Sequence, residues 1–259
     1  MAEPLKLSLV EGIARLTLNR PKFFNAFNLE MVQLMGERLI EFSGDPLVVG
    51  VVITGEGKAF CAGADLKCLS DSKKSPGEAL HALAARYHQA ILEIRRMPKP
   101  VVAAINGIAA GGGFSLALAC DFRVMEASAV FRQAYTTNGL SIDGGGTFTL
   151  PRLVGMARAM EIAAFDRPIS AKQALSWGLV TEMVKDGQAM ERAVEMVKEI
   201  KKVPLSSFAA SKKLITDSFD TSFESQLEKE RELLSVCADH PNGREGIAAF
   251  LEKREPVYI

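Results

Sequence analysis

The sequence has little of what marks a nucleic-acid-binding, membrane-spanning or disulfide-rich protein. Its 31 basic and 31 acidic residues cancel to a formal charge of zero, which argues against a nucleic-acid-binding surface. No apolar run approaches the ~20 residues that a membrane helix needs. The 4 cysteines form no C-x-x-C pair, which favours free thiols in a reducing compartment. Since no targeting segment is visible, we expect a cytoplasmic protein. We also expect no metal site and no nucleic-acid or membrane partner.

Apolar strands and amphipathic helices alternate along most of the chain, and helices fill its C-terminal third. The 259 residues suffice for a large buried core. Asn28 is placed to cap a helix whose apolar face includes Met31 and Leu39. The segment 71–77, DSKKSPG, is the best candidate for a mobile loop. Strands are predicted at 13–18, 48–53, 101–105 and 122–125, and helices at 79–96, 188–202, 205–217, 223–238 and 243–253.

Three consecutive glycines, at 111–113, separate an apolar strand from an Ala-rich helix within the segment 101–121, VVAAINGIAAGGGFSLALACD. A helix that starts with glycine presents unpaired backbone N–H groups at the positive end of its dipole, with no side chain in the way. Such a start can bind a developing oxyanion, but it can equally be a tight packing turn. A second segment, 48–67, places a small-residue loop, 60–66, after another buried strand. Peptide N–H groups from the two loops could together hold one carbonyl oxygen.

Further motifs accompany the two glycine-marked segments along the chain. They are Asn19 to Lys22 with Asn25 and Ala26; Gly55 to Leu66; Lys99 and Pro100 with Ala104 to Gly113; Asp121; Gly145 to Thr147; Leu150 to Arg152; Gly155 with Ala157 to Ala159; Arg244 to Gly246; and Phe250 with Leu251. Together they resemble the enoyl-CoA hydratase/isomerase family, also called the crotonase superfamily, over essentially the whole chain. The resemblance implies an α/β fold, with a spiral core of ββα units that holds the CoA and acyl pocket over residues 1–195. It also implies a helical trimerisation region over 196–259, a homotrimer or dimer of trimers, and a CoA thioester substrate with no permanently bound cofactor.

The same likeness assigns roles in substrate binding. It makes the backbone N–H groups of Ala64 and Gly112 an oxyanion hole for the thioester oxygen. Asp65 is interpreted as a hydrogen-bond acceptor that fixes the loop rather than as a catalyst. The lysines among the assigned residues would otherwise be ordinary surface lysines. The residues that the likeness places beside coenzyme A are Lys22, Ala26, Ala62, Asp65, Leu66, Lys67, Phe250 and Lys253.

The chain departs from the family pattern where the catalytic residues are expected. A hydratase needs two carboxylates, one for the water and one for the proton that goes to the α carbon. In the family the first glutamate lies two residues after the three glycines, where this chain has Ser115. The second lies four residues after the phenylalanine of the strand that leaves the helix, where this chain has Tyr135. Hydration by the two-glutamate mechanism is therefore disfavoured.

One carboxylate remains near the expected pocket, at Asp143 in the segment 139–147, GLSIDGGGT. Its position resembles that of the single aspartate in isomerase-type members, among them the ring-epoxide isomerase of phenylacetate degradation and some dienoyl-CoA isomerases. It also resembles the aspartate nucleophile of 4-chlorobenzoyl-CoA dehalogenase, although the histidine base of that enzyme would then fall at Ala84, one turn before His88. Taken alone, such an aspartate would be interpreted as an Asx-turn residue before glycine.

These residues predict an acyl-CoA isomerase that shifts a C=C bond. Asp143 would transfer the proton, while the Ala64 and Gly112 N–H groups hold the enolate oxygen. Three alternatives stay open: a 2-enoyl-CoA hydratase, an aryl-CoA dehalogenase with Asp143 as nucleophile, and a non-catalytic CoA-thioester binder. The residues expected around the acyl group are Ser115, Tyr135, Leu140 and His88, of which His88 is as readily a solvated helix residue.

Overall fold

The strands of the molecule form two sheets, as the computed structural model of residues 3–70 and 73–259 shows. The six-stranded sheet has the order β1 (Leu5–Val10), β2 (Ile13–Leu18), β3 (Gly50–Gly55), β5 (Val101–Ile105), β7 (Phe122–Glu126) and β10 (Glu182–Val184). The four-stranded sheet has the order β4 (Ala59–Cys61), β6 (Ile108–Ala110), β8 (Val130–Arg132) and β9 (Ile169–Ser170). Strands that follow one another along the chain thus enter the two sheets alternately from β3 to β8.

Helices complete the repeating unit. The chain runs β3–β4–α3, β5–β6–α4 and β7–β8–α5, so each turn of the spiral adds one strand to each sheet and one main helix. This arrangement confirms the predicted spiral of ββα units. The helices are α1 (Leu29–Gly44), α2 (Leu66–Ser70), α3 (Pro76–Arg96), α4 (Gly112–Ala119), α5 (Gly146–Phe165), α6 (Ala171–Ser176), α7 (Ala189–Ile200), α8 (Leu205–Asp217), α9 (Phe223–Asp239) and α10 (Pro241–Glu252).

The six-stranded sheet is covered on both faces, which explains why its central strands β3 and β5 are almost continuously apolar. Val51 and Ile53 pack in a core that also contains the buried residues of α1 and α3. Val52, from the same strand, packs instead with Ala193 and Val197 of α7. Alternate residues of a strand point to opposite faces, so a parallel strand buried on both sides needs a continuous apolar run. Because α7 crosses position 195 while packing on this sheet, the division of the chain at that position stays a proposal.

Local signals in the sequence set several helix boundaries. The Asn28 side chain accepts a hydrogen bond from the Met31 N–H at 3.0 Å, as its predicted capping role requires. At the start of α3, Ser75 and Glu78 form a reciprocal capping box, so the last residues of the predicted mobile loop belong to a helix. Of that loop, residues 71 and 72 lie outside the described part of the chain.

The C-terminal helices α8, α9 and α10 leave large apolar side chains exposed. No residue of α9 is buried. In α8 the one buried residue is Lys212, which pairs with Asp121 at the start of β7. No helix within residues 3–70 and 73–259 is long and apolar enough to cross a bilayer. The exposed large apolar residues of this region include Ile215, Phe219, Phe223, Leu234, Val236, Phe250 and Leu251.

Candidate active site

The two glycine-marked loops meet because the strands before them are neighbours. β4 and β6 pair in parallel, so the loop after β4 and the start of α4 lie at the same edge of the sheet. A Cβ atom on Gly63 would lie 3.0 Å from the Gly112 nitrogen and 2.9 Å from the Ala110 oxygen. Gly63 also has a φ of +89°, and Gly111 one of +53°. At position 63, only glycine can adopt this backbone conformation and lie so close to Ala110 and Gly112.

Among the described residues, neither the Ala64 N–H nor the Gly112 N–H has a backbone acceptor. Phe27 forms a parallel bridge with Ala64, in which the Phe27 N–H donates to the Gly63 oxygen at 2.7 Å and the Asp65 N–H donates to the Phe27 oxygen at 2.9 Å. In this pattern the N–H of the middle residue points away from the bridging strand. Gly112 is the first residue of α4, whose N–H has no acceptor within the helix. Both residues line one cavity of about 50 Å³.

Polar contacts behind the cavity fix the loop that carries Ala64. The Arg20 guanidinium donates to Asp65 Oδ2 at 2.8 Å and to the Ala26 oxygen at 2.5 Å, while Asp65 Oδ1 accepts from the Cys68 N–H at 3.1 Å. Asp65 thus contacts its own loop and the N-terminal segment, as expected of a loop-fixing acceptor. Sequence reasoning did not single out Arg20, although it lies in the Asn19 to Lys22 motif.

Asp143 lies across the cavity from this loop, accepts hydrogen bonds from two side chains and has a third, His88, beside it. The Tyr135 hydroxyl donates to Asp143 Oδ1. The Ser115 hydroxyl donates to the Asp143 backbone oxygen at 2.8 Å. His88 Nε2 lies 3.7 Å from Asp143 Oδ2 and accepts the Gly144 N–H at 3.2 Å. The two positions where hydratases of the family were expected to carry glutamates are therefore occupied by residues that orient the remaining carboxylate.

Burial keeps the two tyrosines of the site protonated. Burial raises the pKa of Tyr135, and the Asp143 carboxylate raises it further, so its hydroxyl remains a hydrogen-bond donor. Burial likewise raises the pKa of Tyr87, whose hydroxyl donates to the Gly112 oxygen at 2.5 Å. Burial raises the pKa of the Cys61 thiol to about 12, so this residue is a packed, neutral thiol.

The turn that presents Tyr135 is fixed by a fully buried carboxylate. Asp166 follows α5, and its side chain accepts from the Ala134 N–H at 2.6 Å and from the Thr137 hydroxyl. Arg132 lies 3.6 Å from the same carboxylate. Ala134 has a φ of +54°, a conformation that costs a non-glycine residue free energy and needs support from its surroundings. Asp166 supplies that support through its hydrogen bond to Ala134, the residue before Tyr135.

One side of the cavity beside Asp143 is formed mainly by one face of α3. Leu80, Leu83, Ala84 and Tyr87 have the spacing of one helical face, and the cavity is closed by Phe27, Tyr135, Leu140 and Asp143. Of the residues predicted around the acyl group, Tyr135 and Leu140 line the cavity, and Ser115 and His88 contact Asp143 or its neighbour. Sequence reasoning missed Phe27, Leu80, Leu83 and Tyr87, because helical periodicity shows that a face is buried but not that it borders a ligand.

The residues assigned to coenzyme A fall into two groups. Lys22, Leu66 and Lys67 are exposed, and Ala26, Ala62 and Asp65 belong to the same two segments around the Ala64 loop. Lys22 also lines a separate cavity of about 600 Å³ with Arg20 and Phe23. Phe250 and Lys253 lie at the end of α10 and are exposed, and neither lines the cavity beside Asp143.

Comparison with known proteins places the chain in a family. The family model described as enoyl-CoA hydratase/isomerase matches residues 9–259. The chain is 35% identical to 1,2-epoxyphenylacetyl-CoA isomerase of Escherichia coli (strain K12), over 97% of each chain. It is 32% identical to 4-chlorobenzoyl coenzyme A dehalogenase-2 of Arthrobacter sp, over 94% of this chain and 88% of that protein. A solved structure described as an enoyl-CoA hydratase from Polaromonas sp. JS666 superposes with a TM-score of 0.93 at 39% identity, covering 98% of this chain and 99% of the other.

The chain therefore belongs to the enoyl-CoA hydratase/isomerase family, whose members act on CoA thioesters without a bound cofactor. The names of its relatives include an isomerase, a dehalogenase and a hydratase.

Proposed function

We propose that the protein is an acyl-CoA isomerase in which Asp143 transfers the proton. The observation that carries this proposal is that Asp143 is the one carboxylate among the described residues that line the cavity shared by Ala64 and Gly112. Asp143 is partly exposed and held by Tyr135, so it is both oriented and accessible. A single carboxylate can remove a proton at one carbon and return it at another.

The proposed reaction converts a β,γ-enoyl-CoA into the conjugated α,β-enoyl-CoA. Asp143 removes a proton from the α carbon, and the electron pair of that C–H bond moves into a dienolate whose negative charge lies on the thioester oxygen. The N–H groups of Ala64 and Gly112 donate hydrogen bonds to this oxygen. Asp143 then returns the proton to the γ carbon, and the double bond comes to lie between the α and β carbons. Removing one donor of such an oxyanion hole typically costs ~2.7–4 kcal/mol of transition-state stabilisation.

Hydration is a weaker candidate because it needs a second acid–base group to place and activate water. The positions that would supply it carry Ser115 and Tyr135, and both side chains already donate hydrogen bonds to Asp143. Burial and the neighbouring carboxylate raise the pKa of Tyr135, so this residue is a poor base at neutral pH. The acyl side of the cavity offers apolar side chains rather than a further carboxylate.

Substitution of Asp143 tests the proposal. Asp143→Asn keeps the shape of the side chain and removes the base, so conversion of 3-hexenoyl-CoA to 2-hexenoyl-CoA should fall by at least ~100-fold. Binding of a CoA thioester, measured by calorimetry, should change little. In deuterated water the wild-type enzyme should exchange label into the α or γ carbon. Gln89→Ala, an exposed change on α3 outside the cavity, is the matched control.

Other outcomes of the same assays would contradict the proposal. Rapid hydration of crotonyl-CoA that Asp143→Asn leaves unchanged would show that the active site lies elsewhere. Tight thioester binding without turnover of any substrate in the panel would favour a non-catalytic binder. Gly112→Pro, which deletes one oxyanion donor, should abolish turnover, and near-normal activity in a correctly folded variant would remove Gly112 from the proposed mechanism.

A second candidate function is supported by the contact between His88 and Asp143. His88 was ranked low from the sequence, yet its Nε2 lies 3.7 Å from Asp143 Oδ2. A carboxylate nucleophile beside a histidine base suits displacement of halide from an aryl-CoA, followed by hydrolysis of the aryl ester. Release of chloride from 4-chlorobenzoyl-CoA, lost in both Asp143→Asn and His88→Gln, would establish this reaction. Unchanged isomerisation in His88→Gln would favour the isomerase.

Binding of coenzyme A and assembly of subunits are also proposals. Lys22 and Lys67 are exposed on the segments that flank the Ala64 loop, where they can reach the CoA phosphates. Lys22→Ala and Lys67→Ala should raise KM and leave kcat nearly unchanged. The exposed apolar residues of α9 and α10 support a homotrimer or a dimer of trimers, with the Phe250 and Lys253 region at a subunit contact or at the CoA site. Light scattering that shows only a monomer at micromolar concentration would refute the assembly. The cytoplasmic location stays a prediction.

A further inference from the structure

A second cavity, of about 220 Å³, lies among the ends of α3, α4 and α8 and the first turns of α5. None of its lining residues lines the cavity beside Asp143. Phe148 and Phe219 form apolar walls, and Arg95, Arg152 and Thr216 contribute hydrogen-bond donors. Chemistry at Asp143 gives these residues no role.

Two arginines in this cavity share one aromatic ring. The guanidinium carbon of Arg95 lies 4.7 Å from the centre of the Phe148 ring, and that of Arg152 lies 3.4 Å from it. Arg152 also lies 4.5 Å from the centre of the Phe219 ring. Stacking on aromatic faces leaves the N–H groups at the edge of each guanidinium available to a ligand.

The other charged groups that line the cavity are already neutralised or satisfied. Asp121 forms an ion pair with Lys212 at 2.7 Å. The buried Arg123 donates to the Cys120 and Leu179 oxygens, each at 2.6 Å. Asp217, which does not line the cavity, is paired with Lys213 at 3.0 Å. Among the charged residues that line the cavity, Arg95 and Arg152 are therefore the ones with guanidinium N–H groups left for a ligand.

Within residues 3–70 and 73–259, no carboxylate lies within ion-pair distance of either guanidinium. Arg152 donates one hydrogen bond, to the Phe148 backbone oxygen at 2.8 Å. Burial lowers the pKa of Arg95, and the charge of Arg152 lowers it further, so the two cations repel one another across the ring. An anion between them would relieve this repulsion and accept hydrogen bonds from both guanidinium groups.

We propose that this open cavity binds a small organic oxyanion, held by Arg95 and Arg152 and flanked by Phe148 and Phe219. A carboxylate or phosphate group matches the guanidinium fork. The volume and the two aromatic walls exceed what an inorganic ion fills, which favours an anion that carries an apolar group. Asp220, on the short helical turn Ser218–Asp220, competes with such an anion because its charge raises the pKa of Arg95, as the charges of Asp217 and Asp121 do to a smaller extent.

Calorimetry and thermal unfolding with defined probes test the site. Benzoate should bind the wild-type protein saturably and raise its unfolding temperature, inorganic phosphate should bind more weakly, and chloride at equal ionic strength should do neither. Arg95→Met and Arg152→Met should each weaken benzoate binding at least tenfold. Arg86→Met, an exposed substitution on the same helix outside the cavity, is the matched control and should bind as the wild type does.

Two further variants keep the test specific. Asp143→Asn should bind benzoate normally, so failure of the proposed isomerase would leave this inference untouched. Asp220→Asn should tighten binding by removing the competing carboxylate. Absence of saturable binding above the chloride control would overturn the proposal. So would benzoate-induced dissociation of subunits in light scattering, because it would show that a carboxylate from a second copy of the chain occupies the cavity.

Discussion

The buried ion pair between Lys212 and Asp121 should contribute strongly to the free energy of unfolding. The Lys212 ammonium donates to Asp121 Oδ2 at 2.7 Å and to the backbone oxygens of Ile94 at 2.9 Å and Lys99 at 3.3 Å. The side chains are only 6% and 16% exposed, so both charges are largely shielded from water. Lys212→Met keeps the length of the side chain and leaves the carboxylate with the Val101 N–H as its remaining donor, at 2.8 Å.

Breaking one side of a buried pair costs more than removing both charges. Loss of one partner typically costs ~3–5 kcal/mol, because an uncompensated charge stays buried. We expect Lys212→Met to lose about this much in urea unfolding at fixed protein concentration. The double variant Lys212→Met/Asp121→Asn removes the charge and keeps an acceptor for Val101, so it should recover at least half of the loss. A single variant within ~1 kcal/mol of the wild type, or a double variant no more stable than the single one, would refute this account.

The loss of unfolding free energy in Lys212→Met should also depend on pH. Burial raises the pKa of Asp121, and Lys212 opposes that effect in the wild type. An acid whose pKa is higher in the folded than in the unfolded protein binds more protons when folded, so stability rises as pH falls through the folded pKa. Without Lys212 this rise is larger. The stability difference between Lys212→Met and the wild type should therefore shrink on acidification, whereas the double variant should show no such trend.

Four further substitutions or modifications have expected outcomes. Tyr135→Phe removes a hydrogen bond to the carboxylate that we propose as acid and base; at ~1.5–3 kcal/mol, kcat/KM for isomerisation should fall roughly 10- to 150-fold with an unchanged circular dichroism spectrum. Gly113→Ala would place a Cβ atom 2.1 Å from a backbone oxygen of β4 and should destabilise the fold by ~3 kcal/mol or more in urea titrations. Gly77→Ala, with open space in α3, should stabilise it by ~0.5–1 kcal/mol. Because burial raises the pKa of Cys61 and Cys120 to about 12, a thiol reagent at pH 8 should modify the other cysteines first and reach these two only after denaturation.

The sequence predicts those parts of the fold that are governed by local pattern. β2 and β5 match their predicted bounds, β2 because its residues alternate as in a half-buried strand and β5 because a buried parallel strand needs an uninterrupted apolar run. The strands β4, β6 and β8 were not predicted, since three residues are too few to show a period. Helix α5 was not predicted either. Glycines precede it, Pro151 lies inside it, and Gly155 interrupts it with a φ of +75°.

For the candidate site, the sequence indicated which loops meet but not how side chains from separate elements contact one another. The neighbouring positions of Ala64 and Gly112 follow from two glycine-marked loops after parallel strands. The contacts of Asp143 with His88 and Tyr135 depend on the path of the segment 133–145, which no local pattern determines. The supporting role of Asp166 depends on the same path and comes from a residue 23 positions after Asp143. Long-range contacts of this kind arise from packing, so they appear only once the chain is folded.

Helix α3 contributes to both the cavity beside Asp143 and the cavity around Arg95 and Arg152, which share no lining residue. Leu80 borders the acyl cavity near one end of the helix, Tyr87 and His88 contact Gly112 and Gly144 at its middle, and Arg95 stacks on Phe148 near the other end. At 1.5 Å per residue, Leu80 and Arg95 are separated by ~22 Å along a single hydrogen-bonded rod. Such a rod shifts or rotates as a unit more readily than it bends. In the proposed isomerase, a substrate too wide for the cavity beside Asp143 would displace the arginine end as well, and we expect tolerance for larger acyl groups to be selected through the packing of Phe148 as much as through the residues that touch the substrate.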